Sequence, residues 1–392
     1  MKKVLLYYNF SFSFGGGELL PLSFISELQH TCDLTVALDR ADGLWRSAEL
    51  YGIDIDSSAI HVEQVMPKGY SIRRHNAILS LHRSRILKRL ARNADICISL
   101  SNITDFGKPA HHFINMLAFG DDAFTVYVHN KAGSAHGGVL ARVKRFFSNS
   151  ILRPILGMRS KRSLICDRRQ HIYPNSRYVE RLMTEFYGPF NSAVFYPPTL
   201  FEPRSPESVG RDPLRIVYIG RIVPETSITD LIGIVEKARA DTGLELTFHL
   251  AGRLDQTPAY GERLVAMARE RDWLKFVGAV YGDEKERFLM SGSFALHAER
   301  IEAFGISVAE YLVAGLIPVI PDEGGTPEVV GSPALAYHTD EDAARILARL
   351  AEDHTFRDGQ RLLCAERART FTREAYMERQ RELLRRIVGD GV

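Results

Sequence analysis

Short apolar runs recur along the chain, and most of them end in glycine or a small polar residue. In the first half, Lys3–Asn9, Asp33–Leu38, Ile60–Val65, Asp95–Leu100, Phe124–His129 and Ile172–Pro174 read as strands. In the second half, Leu214–Ile219, Glu245–Leu250, Leu274–Val277, Phe294–His297 and Leu316–Ile320 do the same. Between them lie segments with helical spacing of apolar residues. One carries Leu19, Leu20, Phe24 and Leu28, another Ile228, Leu231, Ile232, Val235 and Ala238. Strand and helix in alternation predict βα units on parallel sheets, an α/β fold. The double proline Pro197-Pro198, with EPRSPESVGRDP after it, is the clearest linker and predicts a domain boundary near residue 198. The last segment, REAYMERQRELLRRIV, is a helix with Tyr376, Leu383, Leu384 and Ile387 aligned. No strand follows it, so it is expected to dock on something already built.

Ligands on parallel sheets sit at the carboxyl ends of the strands. The first strand runs into Gly15-Gly16-Gly17 and a helix, a turn that lets backbone approach a ligand and offers free amides to an anion, or is simply tight. Ser101 and His129 are expected at strand ends. In the second half, strand after strand ends in glycine: Gly220-Arg221, Ala251-Gly252-Arg253 and Gly278. Residues 294–331 carry the strongest pattern: strand, glycine turn, a helix with Ile306, Ala309, Leu312 and Val313 on one face, strand, glycine loop. Glu302 precedes that helix and Glu310 lies inside it. Their separation is about 12 Å of helical rise, too far to share a proton and suited to two parts of one elongated ligand.

Composition narrows the class. At 392 residues, 45% hydrophobic and 25% charged, the chain has enough apolar residues for two or three ordinary domains. A net charge of +2 implies no anionic partner by itself. Cys32, Cys97, Cys166 and Cys364 form no C-x-x-C, which suits reduced thiols in a cytoplasmic protein. The run after Lys2 and Lys3 breaks at Asn9 and Ser11, as a first strand does and a signal peptide does not. Asp54-Ile55-Asp56 has the form of a D-x-D metal motif but lies in YGIDIDSS, a turn. The histidines lack H-E-x-x-H spacing, and His111-His112 reads as a helix surface. No metal is expected.

Two basic stretches remain. Residues 73–92 predict an amphipathic helix with seven arginines and lysines against Ile78, Leu79, Leu81, Ile86, Leu87 and Leu90. Residues 141–170 interleave nine basic residues with Phe146, Phe147, Ile151, Leu152, Ile155 and Leu156, against Asp167 alone. Aromatics and aliphatics beside arginine and lysine suit an anionic membrane surface. A solvated helix face is the plain alternative, and no recognition motif supports nucleic acid.

The motifs together resemble a GT-B glycosyltransferase of the retaining family 4. The resemblance rests on E-A-F-G-I-S-V-A-E from Glu302 to Glu310, Y-L-V-A-G-L-I-P-V after it, and G-G-T-P-E from Gly324 to Glu328. It extends to Gly220-Arg221…Pro224-Glu225, Ala251-Gly252, Tyr127-Val128-His129, Asn175-Ser176 and Tyr196-Pro197-Pro198. LHAERIEAFGISVAEYLVAGLIPV and VFYPPT are closest to the α-1,2-mannosyltransferases that extend lipid-linked oligosaccharides. This implies two Rossmann-like domains facing across a cleft: an acceptor-binding domain over 1–197, a nucleotide-sugar-binding domain over 198–370, and a C-terminal helix over 371–392 packing back on the first.

By the same resemblance, a hexose moves from a nucleotide-sugar to a lipid-linked or glycan acceptor. The protein would be cytoplasmic, peripheral on the inner face of a membrane, and without a metal. Glu310 would bind ribose hydroxyls. Glu302 and the amides of Ala303, Phe304 and Gly305 would hold the hexose and phosphates, with Ile306 beside them. Arg221 would grip the diphosphate near Gly220, His129 would approach the reacting sugar, and Gly16 and Gly17 would face the donor. Where the family writes G-R-x-x-P-E-K-G, this chain has GRIVPETSITD. Thr226 replaces a diphosphate lysine and Ser227 a glycine. Either another cation substitutes, Arg253 being best placed, or the protein is an altered or inactive GT-B scaffold that binds a sugar nucleotide or a partner protein. Motif order argues against a third class, a sugar-nucleotide epimerase.

Overall fold

The computed structural model describes residues 1–9, 12, 16–70, 77–100, 102–115, 117, 122–131, 157–199, 210–253 and 258–389. Gly15, Ser101, Arg73 and Arg74, positions 141–156 of the second basic stretch, and most of the linker after Thr199 lie outside them. The chain divides into two compact units, Met1–Pro197 with Met377–Val392, and Pro198–Tyr376.

The first unit holds a parallel sheet of β1 (Lys3–Tyr8), β2 (Asp33–Leu38), β3 (Ile60–Gln64), β4 (Ile96–Ser99), β5 (His111–Ile114) and β6 (His171–Pro174). Their spatial order is β3-β2-β1-β4-β5-β6. Val4 to Tyr8 are all buried, as a central parallel strand covered on both faces requires. The order reverses between β1 and β4, so the loop after β1, leading through Gly16 and Gly17 to α1 (Leu19–Leu28), opens on the switch-point crevice. α2 (Leu44–Leu50) and α3 (Ala77–Arg92) follow β2 and β3.

Two readings of this half are corrected. Phe124–His129 is not a strand but part of α4 (Asp122–Lys131). Phe124, Val126 and Val128 alternate, yet Phe124 and Val128 are also four apart, and packing decides between the two periods. Both are buried, and Phe124 meets Phe186 and Tyr187 at 5.6 Å each. His111-His112 is not a helix surface but strand β5. His112 is buried, its Nε2 donating to Gln170 Oε1 at 2.9 Å while Nδ1 accepts from the Thr104 amide. The short α5 (Lys161–Ile165) and α6 (Arg177–Tyr187, capped by the Ser176 hydroxyl) complete the first stretch of the unit.

The second unit repeats the scheme with β7 (Arg215–Ile219), α7 (Ile228–Thr242), β8 (Thr247–Ala251), α8 (Pro258–Arg269), β9 (Leu274–Gly278), α9 (Gly282–Met290), β10 (Phe294–Leu296), α10 (Ile306–Val313), β11 (Ile317–Pro321), α11 (Thr326–Val330) and β12 (Ala336–Tyr337). The order β12-β11-β10-β7-β8-β9 puts its reversal between β7 and β10. Two further helices, α12 (Asp340–Glu352) and α13 (His354–Ala368), follow. The last helix, α14 (Arg373–Val388), rejoins the first unit at Met377, where Gln380, Leu384 and Val388 are buried at four-residue spacing. There Arg381 makes a forked pair with Glu27 of α1, 3.1 Å to each oxygen.

A carboxylate nest at the switch point of the second unit

The reversal between β7 and β10 sets Gly220-Arg221 and the loop from His297 to Gly305 on either side of one crevice. Glycine is required where these segments crowd. A Cβ on Gly252 would lie 1.9 Å from the Gly220 carbonyl oxygen, so the ends of β7 and β8 meet backbone to backbone. A Cβ on Gly325 would lie 2.3 Å from the Ala303 carbonyl, and the Gly325 amide donates to the Glu302 carbonyl at 2.8 Å. The GGTPE loop thereby supports the backbone of the Glu302 loop from below.

Glu302 turns its carboxylate back on its own loop. The amides of Ala303, Phe304 and Gly305 donate to it, the first at 3.0 Å. The amides expected to meet the donor are thus gathered on this side chain. Burial, and next the charge of Glu299, raise the Glu302 carboxyl to about 7 against those amides. Burial also raises Glu299, and Arg221 opposes it. Glu302, Glu299 and Arg221 therefore share one electrostatic neighbourhood. Phe304 is a core anchor, edge-on to Phe371 at 5.7 Å, and fixes the loop beneath the carboxylate.

Arg221 leaves its side chain exposed while its carbonyl accepts from the Tyr218 hydroxyl (3.1 Å) and the Thr226 hydroxyl (3.0 Å). Thr226 is buried and closes the turn, also bonding Val223, so its hydroxyl is spent on backbone and supplies no charge. Ser227 has φ 49 and ψ 38, the one non-glycine residue with positive φ among the described residues, at the position where the family pattern has glycine. Arg253, exposed at the end of β8, lies beside this loop through the Ile222 amide, which donates to its carbonyl at 3.2 Å.

Glu310 is buried on α10 and held by Lys285 of α9, Nζ to Oε1 2.6 Å. Residues 25 apart announce no such pair, and sequence reasoning missed Lys285. It also passed over Glu299, although three-residue spacing before Glu302 was a usable signal. Tyr311 binds the end of β7, its hydroxyl accepting from the Ile219 amide at 2.9 Å, and so ties the Glu310 helix to the Arg221 strand. His297 is buried at the end of β10 with neither ring nitrogen hydrogen-bonded, and burial lowers it to about 4.

Gly16, Gly17 and His129 belong to the first unit. His129 sits within α4, not at a strand end, and its Nδ1 donates to the Thr125 carbonyl one turn back at 2.8 Å. Asp56 accepts from the Ser58 amide and hydroxyl, as a turn residue does. Among the described residues no group of three or more His, Cys, Asp or Glu could hold a metal ion, and no helix is long and apolar enough to cross a membrane.

Residues 202–370 match the family model of glycosyl transferases group 1. The match covers less than half of the chain. It takes in both acids, Arg221, Arg253 and Lys285. A yeast relative, the GPI3 subunit of phosphatidylinositol N-acetylglucosaminyltransferase from Saccharomyces cerevisiae, is 28% identical over 142 residues; the match spans 35% of this chain and 31% of the relative. Among solved structures, Anabaena Alr3699/HepE in complex with UDP-glucose superposes with a TM-score of 0.68 at 15% identity, covering 97% of this chain and 99% of that one. WaaG, a glycosyltransferase involved in lipopolysaccharide biosynthesis, gives 0.68 at 15% identity, with 99% and 100% covered. The fold is GT-B, with two Rossmann-like sheets, and the expected fold class holds.

Proposed function

We propose that the protein transfers a hexose from a nucleotide-sugar to a lipid-linked or glycan acceptor, with retention at the anomeric carbon and without a metal. One observation carries the reading: within the segment that matches glycosyl transferases group 1, a carboxylate ringed by three amides lies in the field of Glu299, which itself lies in the field of Arg221, at the sheet's switch point. In this proposal Glu302 and the Ala303–Ile306 segment meet the hexose, and Glu310 accepts from the ribose hydroxyls, since a carboxylate can take two hydrogen bonds from a vicinal diol. Arg221 beside Gly220, and Arg253 in place of the missing lysine, stabilise charge developing on the leaving diphosphate. The leaving phosphate takes the acceptor proton.

Anabaena Alr3699/HepE was solved with UDP-glucose, which makes a uridine donor the first to test, with mannose among the sugars. The yeast relative is named for a phosphatidylinositol acceptor and WaaG for lipopolysaccharide biosynthesis, and both support a lipid-linked acceptor. Cytoplasmic placement on an anionic membrane is part of this reading. On α3, Ile78, Arg85 and Arg92 are exposed, whereas Arg83, Lys88 and Arg89 pair with Asp39, Asp105 and Glu63.

A second reading, a GT-B scaffold without turnover, is favoured by one observation: Thr226 brings no cation to the diphosphate. Thermal shift against UDP-, GDP- and dTDP-sugars, followed by donor hydrolysis and transfer assays, tests both. Stabilisation with turnover supports the enzyme; stabilisation without turnover on any acceptor supports the scaffold; no stabilisation by any donor refutes both.

A further inference from the structure

A second cavity lies at the opposite, amino edge of the sheet in the second unit. It has a volume of about 280 Å³ and is lined by Arg211, Pro213, Ser293, Gly315, Arg357, Arg361, Cys364 and Ala365. Ser293 and Gly315 precede β10 and β11, and Arg211 and Pro213 precede β7, so the floor is made where three neighbouring strands begin. The wall is one face of α13, with Arg357, Arg361, Cys364 and Ala365 at helical spacing.

The cavity is cationic, and its charge is poorly compensated. Arg211 is fixed: its Nη1 donates to the Gly292 carbonyl at 2.7 Å and its Nη2 to the Ala314 carbonyl at 2.5 Å, while its buried Nε has no hydrogen-bond partner. Gly315, at φ +78, makes room for it; a Cβ there would lie 3.1 Å from Nη2. Burial first and the Arg361 charge second lower the Arg211 guanidinium from its ordinary value. Among the described residues, no acid lines the space. The neighbouring carboxylate, Asp358, stands 3.8 Å from both Arg357 Nε and Arg361 Nη1, beyond hydrogen-bond reach, and is largely exposed. Among the described residues, three like charges thus converge on a pocket with one loose counter-charge outside it. Arginine is suited to phosphate because its planar fork offers paired donors. The volume is far above the ~30 Å³ share of one liquid water and has room for a phosphate with a small organic group.

We propose that the cavity walled by Arg211, Arg357 and Arg361 binds the phosphate group of a phosphomonoester, at a site separate from the carboxyl-edge crevice. The test is calorimetric titration of the full chain with inorganic phosphate and with glycerol 3-phosphate, at constant ionic strength and with UDP present. Wild type is compared with Arg361→Gln and with Arg357→Gln/Arg361→Gln. These side chains leave Arg211 and the sheet untouched, and an unchanged unfolding midpoint in chloride shows that the variants fold. Each lost guanidinium should weaken phosphate about tenfold or more, the usual scale of a charge-assisted hydrogen bond. Equal affinity in wild type and the double variant overturns the proposal, as does the absence of saturable phosphate binding in wild type. Phosphate binding that disappears with UDP but survives in the double variant also overturns it, since the anion then occupies the carboxyl edge. Should no UDP bind, the arginine comparison stands unaffected, so this proposal and the glycosyltransferase reading fail separately. Co-sedimentation with phosphatidic acid vesicles, lost in the double variant, would identify a lipid headgroup as the source of the phosphate; titration by glycerol 3-phosphate alone would identify a soluble one.

Discussion

Replacing Glu302 by glutamine should make the second unit more stable at neutral pH while impairing donor binding. The side chain keeps its shape, and an amide oxygen can still accept from the Ala303, Phe304 and Gly305 amides. What is removed is the cost of carrying a charge there. The carboxyl sits at about 7 in the folded protein against an ordinary 4.5, because burial and Glu299 both oppose ionisation. At 1.36 kcal/mol per pKa unit, ionising Glu302 in place costs about 3 kcal/mol. The folded state therefore holds a proton over a range where the unfolded chain has released it. Stability is fully present below pH 4.5, declines as pH rises, and has been lost once pH passes 7. Glutamine escapes that decline. Its advantage should be about 1 kcal/mol near pH 5, reach about 3 kcal/mol at pH 7, and stay level above it. For a unit of this size each kcal/mol moves the midpoint by roughly 2–4 °C. Thermal and urea unfolding of both proteins from pH 5 to 8 reads the difference. A gap that does not change with pH would refute the argument, because a charge-independent effect of the substitution has no such profile. The stability held back at Glu302 is what a ligand-binding carboxylate is expected to forgo.

Three further outcomes follow from the same loops. Arg253→Ala should lower kcat about 100-fold if Arg253 supplies the charge that Thr226 lacks, and near-normal turnover would remove it from the site. Lys285→Met should destabilise the second unit by about 3 kcal/mol, because it strands the buried Glu310 carboxylate; Lys285→Met/Glu310→Gln should recover most of that, and a single variant within about 0.5 kcal/mol of wild type in urea unfolding would show that the pair carries no weight. Ser227→Gly should be neutral or raise stability by about 1 kcal/mol, since a left-handed L-residue costs about 1–2 kcal/mol and glycine returns part of it as chain entropy.

Repeating local pattern is legible in the sequence; anything settled by partners far along the chain is not. Asp33–Leu38 reads with the bounds it has, because a short, mostly apolar run between turns can do little else than form a buried strand. VYVHN satisfies two periods at once, and the aromatic faces of Phe186 and Tyr187, some sixty residues on, choose helix. β5 escapes because its two histidines look polar on paper. In place His112 is neutral: burial holds it at about 4, and its Nε2 donates a hydrogen bond to Gln170. The site divides the same way. Glu302, Glu310, Gly220 and Arg221 lie in runs whose local shape fixes them. Lys285 reaches Glu310 only through the meeting of α9 and α10.

The Thr226 departure shows how far a motif can be read as chemistry. A missing lysine suggests a lost charge and nothing more. In place, the threonine secures the loop. Its hydroxyl bonds both the Arg221 and Val223 carbonyls, pinning the turn that presents Arg221. The next residue bears the strain of that turn, in a conformation glycine would adopt freely. A loop that had merely decayed would relax such a residue to negative φ. Keeping it left-handed requires the flanking contacts to exceed the strain. The geometry around Arg221 is thus held by backbone bonding rather than by a second cation, so in the proposed reaction the added charge for the diphosphate falls to Arg253, one strand away.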